Sequence, residues 1–200
     1  YTLSGTDAAS FEVVNGQLKL KSSVSVDFET KNTYSVTVTA TDDANHETSV
    51  TYTLQVTDAN DSPTTIALSG NSIDENTAGM TVGTLTTSDV DPGDSHTYSL
   101  SGTNAASFEV VNGQLKLKTG VTANYETNST LTIIVTATDT GGLTTTQSFT
   151  VTVNNLNDAP TLTNTVADQS VDEDNAFSFA IPTNTFNDED GDTLTYSATL

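Results

Sequence analysis

The 200-residue chain carries 26 Asp and Glu against five basic residues, all of them Lys, for a formal charge of −21. That balance excludes the Lys/Arg patches that bind nucleic acid or an anionic membrane surface, and the absence of cysteine excludes disulfides and thiolate metal sites. Acid in this excess repels itself in a compact state unless cations neutralise it, so divalent metal is the expected counterweight.

In chain order, the first element is also the first half of a repeat. Residues 1–64 align with residues 98–161 without a gap, at a constant offset of 97, and Ala8–Lys21 recurs unchanged as Ala105–Lys118. Such self-similarity marks a tandem array. Phe11–Leu20 (FEVVNGQLKL) reads as a hairpin, because Asn15-Gly16 lies between alternating apolar positions and supplies the two positive-φ residues of a tight turn. Tyr34–Ala40 (YSVTVTA) and Val50–Val56 (VTYTLQV) alternate with period two, which predicts strands with one buried face. Pro63 then closes an acidic run.

The second copy repeats the series with Asn112-Gly113, then Leu131, Ile133, Val135 and Ala137, then Phe149, Val151 and Val153, and closes at Pro160. Turn signals every ten or so residues in a 97-residue unit predict a seven-strand sandwich. No run of apolar residues reaches membrane-spanning length, so no direct membrane insertion is expected. The chain opens mid-strand and stops mid-pattern, and reads as a segment of a longer protein. The expected boundaries are a partial repeat at 1–61, a complete repeat at 62–158 and a partial module at 159–200.

Acidic residues gather where the repeats join. DFE gives Asp27 and Glu29; TDANDSP gives Asp58, Asn60 and Asp61; DVDPGD gives Asp89, Asp91 and Asp94; ATD gives Asp139. Carboxylates and amide oxygens alternating with other residues suit Ca2+, which takes six to eight oxygen ligands, better than Mg2+, which prefers few carboxylates and keeps its waters. Zinc finds no set, since His46 and His96 are the only histidines. Taken singly each Asp or Asn is a turn former. Turn chemistry does not explain a DxE element or the recurrence of the clusters. Carboxylates converging at ~4 Å without a cation would also repel by about 1–4 kcal/mol per pair.

Those motifs resemble the cadherin repeat in its bacterial cadherin-like form, which carries a DxE element, a DxND element before a proline, a DxD element in the next module and an Asp ending an A-x-D strand. The resemblance covers residues 1–158. It implies an all-β fold of tandem seven-strand Greek-key (cadherin/Ig-like) sandwiches joined end to end, with calcium bound between successive modules.

The resemblance also implies the ligands. Asp27, Glu29, Asp58, Asn60, Asp61, Asp89, Asp91 and Asp139 would serve the first junction. The family places a Glu near the start of each module, which makes Glu75 the candidate. The second junction reads NYE and NNLNDAP, so Asn124 and Asn155 replace Asp, and the set becomes Glu75, Asn124, Glu126, Asn155, Asn157, Asp158, Asp188 and Asp190, with fewer charges and a weaker expected hold on Ca2+. Residues 159–200 resemble the opening of a dystroglycan-type cadherin-like or bacterial Ig-like module.

The whole resembles the extender region of bacterial RTX-type adhesins. This implies an extracellular or cell-surface location, calcium as cofactor, neighbouring repeats as partners, and a cell-surface partner reached through a distal domain. The alternative is direct adhesion, homophilic or to carbohydrate, through the sandwich face. An enzyme is not expected. Paired acids suit a glycosidase, but these recur at module ends, and no nucleophile elbow, phosphate loop or His-based triad is present. Asn128-Ser129-Thr130 matches a glycosylation sequon, a short motif that carries little alone.

Overall fold

Period-two alternation of β-branched and polar residues does produce strands. The structure, a computed structural model, describes residues 1–199 and is all-β apart from two 3-10 turns, Ala8–Ser10 and Ala105–Ser107. The chain divides into two compact units. One comprises Tyr1–Thr64, Ser88–His96 and Thr138–Thr145; the other comprises Thr65–Thr87, Thr97–Ala137 and the residues from Thr146 onward.

The first repeat contributes β1 (Thr2–Ser4), β2 (Phe11–Val14), β3 (Gln17–Leu20), β4 (Thr33–Thr41) and β5 (Glu47–Gln55). β1, β4 and β5 form an antiparallel sheet, with Val36 opposite Tyr52 and Val38 opposite Val50. β2 and β3 form the expected hairpin, with Val14 opposite Gln17 and the turn at Asn15 (φ 52°) and Gly16 (φ 74°). Phe11, Tyr34 and Val36 are buried together, the two rings meeting edge-on at 6.4 Å and 81°. Asp7 fixes this end of the repeat. Its carboxylate accepts the Ser35 N–H at 2.8 Å and pairs with Lys31. In the second repeat Asn104 accepts the Thr132 N–H at 2.8 Å and Asn128 stands in place of Lys31, so both members of the ion pair change together.

The second repeat contributes β6 (Thr65–Leu68), β7 (Ser72–Asp74), β8 (Thr81–Ser88), β9 (Thr97–Ser101), β10 (Phe108–Val111), β11 (Gln114–Leu117), β12 (Thr130–Thr138) and β13 (Thr144–Asn154). They make two four-stranded sheets, β10-β11-β8-β6 and β7-β13-β12-β9, with β7 parallel to β13. This is a seven-strand sandwich whose first strand divides between the sheets. The crossover between β6 and β7 runs against β8. A Cβ at Gly70 would lie 2.2 Å from the Val82 carbonyl oxygen, so only glycine fits. Between the sheets lie Phe108, Leu115, Ile133, Val135, Val151 and Val153, all buried. Each stabilises the fold by about 1.5–3 kcal/mol relative to exposure.

β5 departs from the expected pattern. Val50, Tyr52 and Leu54 alternate as predicted, yet every residue of β5 is exposed, Leu54 at 39% against 0% for its counterpart Val151. In the second repeat β8 and β6 extend the opposing sheet over that position, whereas within residues 1–64 only the β2–β3 hairpin opposes β4 and β5. Residues 159–199 form one short antiparallel pair, β14 (Thr161–Leu162) with β15 (Phe186–Asn187), and leave Phe177, Ile181 and Tyr196 exposed.

Candidate metal centres

The first candidate site builds from the two ends of the first repeat's last strands. Before β4, Asp27 turns the chain on itself. Its Oδ1 accepts the Thr30 N–H at 2.8 Å and its carbonyl accepts the Lys31 N–H at 2.9 Å, which places Glu29 at the tip of the turn. After β5 the chain carries Asp58, Asn60 and Asp61 past the loop that follows β8. The Asp61 N–H donates to Asp91 Oδ2 at 2.8 Å, and the Asn60 side-chain amide donates to Asp139 Oδ2 at 2.9 Å. These segments all lie in one compact unit.

Two groups of three carboxylates result: Glu29, Asp58 and Asp91, and Asp89, Asp94 and Asp139. Within each group one oxygen per residue lies within 4.8 Å of the others. Asp139 is buried and its Oδ1 accepts the Leu143 N–H at 2.8 Å. Asp94 Oδ1 accepts from the Thr140 hydroxyl at 2.6 Å.

The second candidate site repeats the scheme on other residues. Asn124 takes over the Asp27 turn, its Oδ1 accepting the Thr127 N–H at 2.6 Å, and Glu126 occupies the tip. The Asp158 N–H donates to Asp190 Oδ2 at 2.5 Å, as Asp61 does to Asp91. Glu75, fully buried, accepts the Tyr125 N–H and the Leu156 N–H, both at 2.7 Å, one on each carboxylate oxygen. Glu75, Glu126 and Asp158 form the third group of carboxylates. All of these residues lie in the other compact unit.

The electrostatics are those of acids pressed together. Glu29 is held above its ordinary carboxyl value. Its own backbone N–H draws it down, but desolvation and the charges of Asp58, Asp61 and Asp91 outweigh that. Glu126 is raised in the same way: its own N–H lowers it, while desolvation, Glu75, Asp190 and Asp158 prevail. Desolvation first, then Glu75, raises Asp158. Asp139 goes the other way, because hydrogen bonds from Asn60 and Leu143 overcome its desolvation.

Asp91 Oδ1, Asp94 Oδ2 and Asp158 Oδ2 are buried without a hydrogen-bond donor. A buried anionic oxygen without a donor is costly. Oxygen-only donor sets with such orphaned atoms fit a hard divalent cation of the calcium type.

Not every expected ligand joins a group. Among the described residues Asp27 and Asn124 spend an oxygen on their own turns, and Asp188 accepts the Asp192 N–H at 3.2 Å. Asn157 donates to the Asp158 carbonyl at 2.8 Å, matching Asn60 on Asp61 at 3.0 Å, and Asn155 is exposed. Sequence reasoning omitted Asn76, whose amide donates to Asp158 Oδ1 at 2.8 Å. It also omitted Gly141, where a Cβ would lie 2.4 Å from the Asn60 side chain. No spacing rule signals contacts between residues some eighty positions apart.

The sandwich and its acidic ends define a cadherin-like tandem module. Residues 71–154 match the family model described as a cadherin domain, and residues 159–200 match one described as a putative Ig domain. Among solved structures, the chain is similar to Drosophila N-cadherin EC1-4 (28% identity, TM-score 0.60, covering 77% of this chain and 40% of that one). It is also similar to protocadherin gammaB7 EC3-6, described as a cis-dimer (27% identity, TM-score 0.58, 80% and 41% covered). Human protocadherin-24 EC1-2 shares the fold (24% identity, TM-score 0.56, 76% and 80% covered). The chain spans about two fifths of the length of the first of these structures. A comparison with curated proteins finds no match. Cadherin domains are extracellular, non-enzymatic adhesion modules that generally bind calcium. Among the described residues no helix is long and apolar enough to cross a membrane.

Proposed function

We propose that this chain is a pair of calcium-binding junctions in the extender region of a large bacterial cell-surface or secreted adhesin, stiffened by calcium and supporting cell adhesion. In this reading residues 1–61 end one repeat, 62–158 form a complete one, and 159–200 open a third. The observation that carries it is the recurrence of one arrangement. At both places a DxE-type turn, the acid before the proline and the second Asp of the next module's acidic loop converge, and buried carboxylate oxygens are left without donors.

Glu29 and Asp58 come from one repeat and Asp91 from the next, so a cation they share ties two repeats together. Without it the like charges repel and the joint loosens. Folding and binding are then linked, as for any metal held by the native state alone.

Calorimetry with CaCl2 beside small-angle scattering tests the reading. Calcium should bind at both junctions and change the molecular length. Asp58→Ala with Asp61→Ala should remove the site of Glu29, Asp58 and Asp91 at the first junction and leave the second junction's binding intact. Unchanged stoichiometry in that variant refutes the ligand assignment, and a length and melting temperature indifferent to EDTA refute the function.

Direct adhesion through the sandwich face would need an exposed aromatic patch. Tyr52 and Leu54 are exposed, but their counterparts Phe149 and Val151 pack on the core of the second repeat, so they mark an interior face rather than an adhesive one.

A further inference from the structure

His96 belongs to none of the acidic motifs, yet it is enclosed beside one of them. Its side chain is 9% exposed and that of Asp89 4%, and its Nε2 lies 2.9 Å from Asp89 Oδ2. Asp89 is held below the ordinary carboxyl range, chiefly by this hydrogen bond and against desolvation. It is therefore an ionised acceptor, and Nε2 carries the proton. Asp89 Oδ1 meanwhile accepts the Asp91 N–H at 3.2 Å.

Two donors, one on each oxygen, hold the carboxylate in a single orientation, while each oxygen retains a lone pair. A short acidic side chain in a loop otherwise loses rotamer freedom when it binds an ion. An imidazole N–H held against Oδ2 removes that cost before the ion arrives. The aligned loop of the third module shows the contrast. With Tyr98 matched to Tyr196, Leu194 takes the place of His96 and has no side-chain donor, and among the described residues the Asp188 carboxylate, matched to Asp89, takes only the Asp192 N–H of its own turn.

We propose that His96 is a positioning residue for the Asp89–Asp94–Asp139 site, clamping Asp89 so that its carboxylate faces the other two before a divalent cation arrives. This rests on the calcium reading above. It assigns to the first junction a supporting shell that the acidic loop of the third module lacks.

The test uses the whole chain with His96→Leu and His96→Gln, the second keeping an N–H near the place of Nε2. Loss of an outer-shell donor typically weakens a metal site by about 10–100-fold. Calcium calorimetry should show a loss of that size for His96→Leu at one site, near-parental affinity for His96→Gln, and no change at the site of Glu29 and Asp58. Melting in EDTA should be alike for all three proteins, and ring 15N shifts should report a proton on Nε2 both before and after calcium is added.

Equal affinity in His96→Leu and the parent overturns the assignment. So does an equal loss in both variants, which would make His96 a packing residue; that comparison decides the matter even if His96→Leu melts lower. A parent chain that takes up no calcium refutes the calcium reading itself, and the clamp with it.

Discussion

Glu29, Glu126 and Asp158 share one predicament: the fold places each beside acids it cannot escape. Their carboxyl groups are raised above the ordinary values of 4.5 for Glu and 3.8 for Asp. A raised carboxyl favours the protonated folded state, so its contribution to stability is complete below the ordinary value and is lost as pH rises through the higher folded value. Asp89 and Asp139 are lowered and contribute in the opposite sense, with stability present above the ordinary value and lost on acidification.

In EDTA, the chain with Glu29→Gln, Glu126→Gln and Asp158→Asn should therefore lose less melting temperature than its parent as pH rises from the acid side of the carboxyl range to neutrality. Melting curves against pH measure this. A variant that declines as steeply as the parent would show that these three groups are not where the repulsion is stored. Calcium should flatten the parent's curve more than the variant's, because the variant has lost oxygens from two of the three carboxylate groups and keeps only that of Asp89, Asp94 and Asp139 intact.

Gly141, in the turn between β12 and β13, links this local chemistry to the framework. No positive φ demands glycine there. What demands it is Asn60, whose side chain occupies the space a Cβ would take, at 2.4 Å, while its amide donates to Asp139. Gly141→Ala should displace Asn60 and weaken calcium binding at the first junction several-fold. Calorimetry reads that loss. The melting temperature in EDTA should move little, since the turn is exposed; a large drop there with unchanged affinity would place the role of Gly141 in the turn instead.

The sequence announces one side of this contact and not the other. Asn60 and Asp139 stand in readable motifs, but the pair is 79 residues apart, and the glycine that admits them looks like any turn glycine. The Asn15-Gly16 and Asn112-Gly113 hairpins and the long strands β4, β12 and β13 are legible because local rules govern them: positive φ at the turn and a period of two along the strand. The exposure of β5 is not legible. Val50, Tyr52 and Leu54 alternate correctly, and whether they are covered depends on which strands lie opposite. The division of the first strand into β6 and β7 is equally hidden, being set by a close approach of Gly70 to Val82 that only the folded chain reveals. The roles of Asp27 and Asn124 follow the same logic. Both hold the same turn through Oδ1, so Asp→Asn at this place preserves the backbone while removing a charge.

A formal charge of −21 offers two routes to relief, and they differ in form. Screening by monovalent salt weakens repulsion between distant carboxylates, with a Debye length of about 10 Å at 0.1 M, but acts much less on close, partly buried groups. Coordination satisfies individual oxygens and saturates. If the orphaned oxygens of Asp91, Asp94 and Asp158 are what the fold lacks, NaCl should raise the melting temperature gradually and without a plateau. Calcium should raise it further, with an increment following RT ln(1 + [L]/Kd), or about 2.7 kcal/mol when free calcium is a hundredfold above Kd.

Magnesium discriminates between simple divalent charge and the geometry of the sites. It carries the same charge, but it holds its waters and prefers few carboxylates, so at equal concentration it should recover only a minor part of the calcium increment. Thermal melts in matched NaCl, MgCl2 and CaCl2 series separate the cases. If magnesium equals calcium, the acids act as a diffuse counterion layer; if a modest ionic strength of NaCl alone reaches the calcium plateau, no carboxylate in the chain requires a ligand. The converging oxygens at both ends of the second repeat argue for a plateau specific to calcium. It should be lowered by Asp58→Ala with Asp61→Ala without changing the NaCl slope, because those substitutions remove a site while barely altering the total charge.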